Sequence, residues 1–106
     1  MTGVPLACDM NAIAPEDRAD HQRVTRRIVA AATEIRESEH GIAFHLPADD
    51  YEAAARFVAR ERLCCPFLRF TVTVTPGRGP LWLSVDGPAG AGEFLRAELH
   101  LPPPPD

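Results

Sequence analysis

Residues 61–70 read ERLCCPFLRF, with a glutamate three residues ahead of two adjacent cysteines and a proline directly behind them. A single buried thiol serves well as a small apolar filler. A doublet in a chain with only three cysteines calls for sulfur chemistry instead. On a helix, Cys64 lies three and Cys65 four residues beyond Glu61, so all three side chains meet on one face. The same stripe carries Ala54, Phe57 and Val58, which puts Glu61 on the buried side. An ionised carboxylate there is costly unless it is paired, metal-bound or protonated.

Two thiols beside a carboxylate suit a soft metal ion, which deprotonates coordinating thiols and prefers sulfur to oxygen or nitrogen. Zinc fits poorly, because a structural zinc site takes four ligands and adjacent cysteines strain the backbone when both turn to one tetrahedral centre. Mercury(II), copper(I) and arsenic(III) need only two or three sulfurs, and the metal ligands are then Cys64, Cys65 and the distant Cys8. Cys8, in ACDMNA ahead of the first helix, reads equally well as a small apolar anchor for the N-terminal arm.

A thioredoxin-type redox role is disfavoured. Those thiols sit at a helix N-terminus, whereas these close a helix at its C-terminal end, where the dipole opposes a thiolate. An odd cysteine count also suits a disulfide framework badly, so the thiols are expected to be reduced.

Two other classes stand beside the metal binder. In the first, Glu61 is a catalytic acid: two thiolates and a buried carboxylic acid are the groups an organomercurial lyase uses to hold mercury and protonate the leaving carbon. In the second, the chain is a structural dimerisation module with inert cysteines. Of the histidines, only His21 falls on an inward helical stripe, three residues before Val24, and it reads first as a core residue near the site.

The elements that must position these groups follow from hydrophobic period. Pro15 opens a helix with Glu16, Asp17 and Asp20 in its first turns; Val24, Ile28, Ala31 and Ile35 give it one apolar stripe to about Glu37. Gly41–Leu46 alternates as a half-buried strand. Asp49 and Glu52 form a capping box for a second helix, which Pro66 ends at Cys65. Phe67–Thr75 and Leu81–Val85 alternate on either side of PGRGP and predict a hairpin, with Phe67 and Trp82 on its outer face. DGPAGAGEF matches no phosphate loop and reads as a turn and helix start, and the final helix is stopped by the prolines.

The expected fold is α+β, in the order αβαββα, with a three-stranded mixed sheet covered by helices on one face, as in half of a ferredoxin-like fold. His45, Phe67, Thr71, Thr73 and Trp82 make the other face aromatic enough to suggest a homodimer contact. The chain reads as one domain, with residues 1–14 as an N-terminal arm and 102–106 as a proline-rich tail.

Composition narrows the partners. With 106 residues, 45% of them hydrophobic, the chain can bury one modest core. A net charge of −4 with no lysine leaves no concentrated positive surface for nucleic acid or an anionic membrane. The N-terminal stretch has neither a basic region nor an apolar run, and no segment has the length of a membrane span, so the sequence predicts a cytoplasmic protein.

ACDMNAI, GIAFHLPA, ERLCCPFLRF and GPLWLSVDGPAGAGEFL together resemble the small uncharacterised bacterial proteins with a Cys-Cys-Pro-Phe signature, over nearly the whole chain. The resemblance implies that Cys8, Glu61, Cys64, Cys65, Pro66 and Phe67 belong to that family's pattern. It further implies an association with heavy-metal resistance, mercury above all. The adjacent cysteines are also similar to the vicinal pair with which mercuric reductases capture mercury.

Overall fold

A computed structural model describes residues 7–101. The proline tail and the first six residues of the arm lie outside that range. Seven main elements follow one another: α1 (Pro15–Ala31), β1 (Glu34–Ser38), β2 (Gly41–Leu46), α2 (Tyr51–Cys64), β3 (Arg69–Val74), β4 (Leu81–Asp86) and α3 (Ala91–Glu98). Single 3-10 turns at Met10–Ala12 and Ala48–Asp50 precede α1 and α2.

The fold is α+β, but its sheet has four strands in the order β1-β2-β4-β3, and every neighbouring pair is antiparallel. The expected three-stranded mixed sheet is therefore corrected in two ways. First, α1 stops at Ala31, and the next residues pair with β2 as an edge strand, Ser38 opposite Gly41. Ile35 still packs on the core, but from a strand. Second, β2 and β3 run in the same direction without touching, because β4 lies between them. The β3–β4 hairpin forms as expected, Val74 facing Leu81.

One apolar core fills the space between the sheet and the helices. Ile42, Phe44, Leu46, Leu81, Leu83 and Val85 face it from the sheet; Val24, Ile28, Ala54, Phe57, Ala91 and Leu95 face it from α1, α2 and α3. Burying Phe44 and Phe57 fully is worth roughly 1.5–3 kcal/mol each. Arg60 is half-buried and reaches across to Asp20 (2.5 Å) and Asp17 (3.4 Å), tying α2 to α1. That guanidinium holds the Asp20 carboxyl below its usual range. The capping box is absent: Asp50 precedes α2 and instead accepts from Arg27 at 2.8 Å.

The outer sheet face carries Trp82, its ring tilted against that of His45 (4.5 Å between centroids) and lying under the Arg36 guanidinium. Phe67 is not on that face. It precedes β3 and packs edge-on against Phe94 at 5.7 Å, because the turn after Pro66 moves the start of the strand to Arg69.

The start of α3 is stitched to the β1–β2 turn. The amides of Gly90 and Gly92 donate to the Glu39 carbonyl, and that of Gly87 to the His40 carbonyl. Gly92 is buried, and a Cβ there would collide with the Ser38 carbonyl oxygen. Gly92→Ala should therefore cost about 1–3 kcal/mol, the usual range for overpacking. A lower urea midpoint with an unchanged slope is the expected result.

Candidate functional site

The site is built at the C-terminal end of α2. Pro66 keeps Cys65 out of helical geometry, and Cys65 takes φ −125° and ψ 70° as the cap while its amide still donates to Glu61 O at 2.8 Å. Cys64 is the last helical residue and stays on the Glu61 face. The two sulfurs thus flank one carboxylate, Cys64 Sγ 3.6 Å from Glu61 Oε1 and Cys65 Sγ 3.5 Å from Oε2. They lie 3.6 Å from each other.

The N-terminal arm supplies the third sulfur. Ile13 is driven into the core, Arg18 Nε donates to the carbonyls of Met10 (3.1 Å) and Ile13 (2.9 Å), and the Asp9 amide donates to Cys64 O at 2.8 Å. Cys8 is thereby laid against the end of α2 and forms a disulfide with Cys65, across a Cα–Cα distance of 4.7 Å. Cys64 is a free, buried thiol. The expectation of three reduced thiols is corrected: 57 residues separate Cys8 from its partner, and only the fold brings them together. Sequence spacing carried no signal for this bond.

All three predicted sulfur ligands and the predicted acid converge. Ligand atoms of Cys8, Glu61, Cys64 and Cys65 lie within 4.8 Å of one another. His21, read first as a core residue, is the partner of the buried carboxylate, its Nε2 lying 2.8 Å from Glu61 Oε1. Both side chains are nearly sealed from water, and the His21 ring stacks on Phe57. The pairing answers the cost of burying Glu61, since one hydrogen-bonded partner replaces lost hydration. His21 Nδ1 is buried and has no hydrogen-bond partner among the described residues.

The environment opposes ionisation of Cys64. Burial first, then the charge and hydrogen bond of Glu61 and the charge of Glu98, together raise its pKa from the ordinary 9.0 to about 12. At rest this sulfur is a thiol.

Beside the cluster, between α1 and α3, lies a cavity of about 630 Å³ with a largely apolar wall. His21, Glu61 and Cys64 form part of its lining, with Met10, Val29, Ala30 and Leu99 among the apolar contributors. Its size is in the range of small-molecule pockets. No local pattern of residues encodes it, because it is bounded by residues far apart in the chain. No helix among the described residues is long and apolar enough to cross a membrane. Comparisons of the chain with protein-family models, curated proteins and solved structures found no match.

The raised Cys64 pKa has a definite sign. Ionisation is delayed, so below pH 9 the native thiolate fraction is about a thousandfold smaller than that of a thiol with the ordinary value. Alkylation of Cys64 by iodoacetamide in the native protein should rise about tenfold per pH unit from pH 8 to 11 without levelling, whereas the urea-unfolded chain should level near pH 9. A native plateau near pH 9 would show that Glu61 and burial do not hold this thiol.

Proposed function

We propose that the reduced protein captures a soft, thiophilic metal ion in the cytoplasm, mercury(II) foremost, with copper(I) and arsenic(III) as the other ions such sulfur ligands suit. The observation that carries this reading is the convergence of three sulfurs and one carboxylate within 4.8 Å at the end of α2. Cys64 and Cys65 are the principal ligands and Cys8 the third. Glu61 receives the protons that the thiols give up, and its hydrogen bond to His21 lets the pair share them. Capture requires the Cys8–Cys65 bond to be opened by a reductant, because a disulfide sulfur is a poor ligand and only a thiolate binds strongly.

Native mass spectrometry of the reduced protein, with mercury(II), copper(I), zinc(II) and arsenite in competition, tests this directly. One mercury(II) per chain is expected after reduction, and none held tightly while the Cys8–Cys65 bond is intact. Cys64→Ser or Cys65→Ser should abolish tight capture, and Cys8→Ser should weaken it by at least tenfold. No preference for any thiophilic ion over zinc would overturn the reading.

The cavity favours a second reading, a lyase, because it leaves room beside Cys64 and Glu61 that a bare ion does not need. The substrate is then an organomercurial cation. Glu61 donates a proton to the carbon, the carbon–mercury electron pair forms the new C–H bond, hydrocarbon leaves, and mercury(II) stays on the thiolates. His21 is placed to return a proton to Glu61. Hydrocarbon release from methylmercury by wild type, lost in Glu61→Gln with binding retained, is the expected outcome for an enzyme. Capture without any hydrocarbon release would leave the binder alone.

A further inference from the structure

The disulfide, the free thiol and the cavity are arranged asymmetrically. Of the three cysteines only Cys64 lines the cavity, and its sulfur lies 3.6 Å from that of Cys65, which is fully buried. A molecule in the cavity therefore meets Cys64 before it meets the disulfide. The cavity wall also offers more than apolar surface. Arg26 from α1, Glu61 from α2 and Glu98 from α3 place charges of both signs on it, and the buried His21, whose Nδ1 has no hydrogen-bond partner among the described residues, lies on the same wall.

We propose that this is a thiol–disulfide exchange centre in which Cys64 is the entry thiol and the cavity holds a small zwitterionic disulfide, of the amino-acid or short-peptide type. In the reduced protein Glu61, whose Oε1 lies 3.6 Å from the Cys64 sulfur, takes the thiol proton as that sulfur attacks one sulfur of R–S–S–R. That S–S bond breaks, and the departing thiolate takes up the proton that Cys64 lost, leaving as RSH. Cys65 then attacks the Cys64 sulfur of the mixed disulfide and releases the second RSH in the same way. The resulting bond between adjacent cysteines closes a strained ring, which makes it a good target for Cys8. Attack by Cys8 on Cys65 frees Cys64 as a thiol and forms the Cys8–Cys65 bond, which is the pairing observed. Two electrons pass from the protein to R–S–S–R, two RSH are made, and excess RSH drives every step in reverse.

The test uses the reduced, metal-free protein with glutathione disulfide as probe, so its outcome is separate from that of metal capture. Rapid alkylation and peptide mapping should find wild type converted to Cys8–Cys65 with Cys64 free. Cys64→Ala should oxidise at least tenfold more slowly. The Cys8→Ser, Cys65→Ser double variant should stop at a stable mixed disulfide on Cys64. Filling the cavity through Ala30→Trp, or through Gln22→Trp at another lining residue should the first fail to fold, should slow glutathione disulfide at least tenfold and leave oxidation by hydrogen peroxide unchanged. Oxidation of Cys64→Ala at the wild-type rate, or no mixed disulfide in the double variant, would overturn the proposal. Glutathione disulfide should react at least fivefold faster than uncharged 2-hydroxyethyl disulfide, and equal rates would remove the zwitterionic assignment.

Discussion

A carboxylate taken out of water must be surrounded by groups that compensate it, and Glu61 is the side chain around which this molecule is arranged. His21 approaches it from α1, and Cys64 and Cys65 approach from its own helix. Because Glu61 and His21 sit on different helices, the depth and rotation of α1 against α2 are fixed by a polar contact as well as by Val24, Ile28 and Phe57. Arg60 reinforces the same pairing at the surface through Asp17 and Asp20. Removing one member of the buried pair would strand the other, which costs far more than the pair contributes.

The sulfur arrangement follows from how α2 ends. A doublet continued in helical geometry would carry Cys65 about 100° round the axis from Cys64. Pro66 forces Cys65 to leave that geometry, and both sulfurs come to lie against the same carboxylate. The end of α2 is also where the N-terminal arm is pinned, by Ile13, by Arg18 and by the Asp9 amide on Cys64 O. The third cysteine is delivered by these contacts, and the disulfide closes an approach that the backbone has already made.

What was legible in the sequence was what helical and strand periods govern locally. The facing of Glu61, Cys64 and Cys65, the inward stripe holding His21, and the β3–β4 hairpin all rest on spacing within a few residues. The missed strand β1 had no such signal: EIRES holds a single apolar residue, Ile35, which fits a helical stripe as well as a strand at the sheet edge. The insertion of β4 between β2 and β3, the Cys8–Cys65 contact and the cavity depend on residues far apart in the chain, and no local pattern encodes them. Alternation puts Phe67 on the outer face, but it gives the phase of a strand and not the residue at which the strand starts, and β3 starts only at Arg69.

The oxidation state of the site decides how many sulfurs it can offer. With the Cys8–Cys65 bond made, one thiol remains, buried and protonated beside Glu61. With the bond opened all three sulfurs are free to ligate, and the same carboxylate that disfavours a lone thiolate would accept the protons that a metal displaces; the four ligand atoms already lie within 4.8 Å of one another with the bond made. The proposed metal capture and disulfide exchange draw on the same atoms, so each occupant would exclude the other. Cys64 belongs to both because it alone faces the cavity on one side and the other two sulfurs on the other. A filler thiol would need neither the neighbouring disulfide nor the opening beside it.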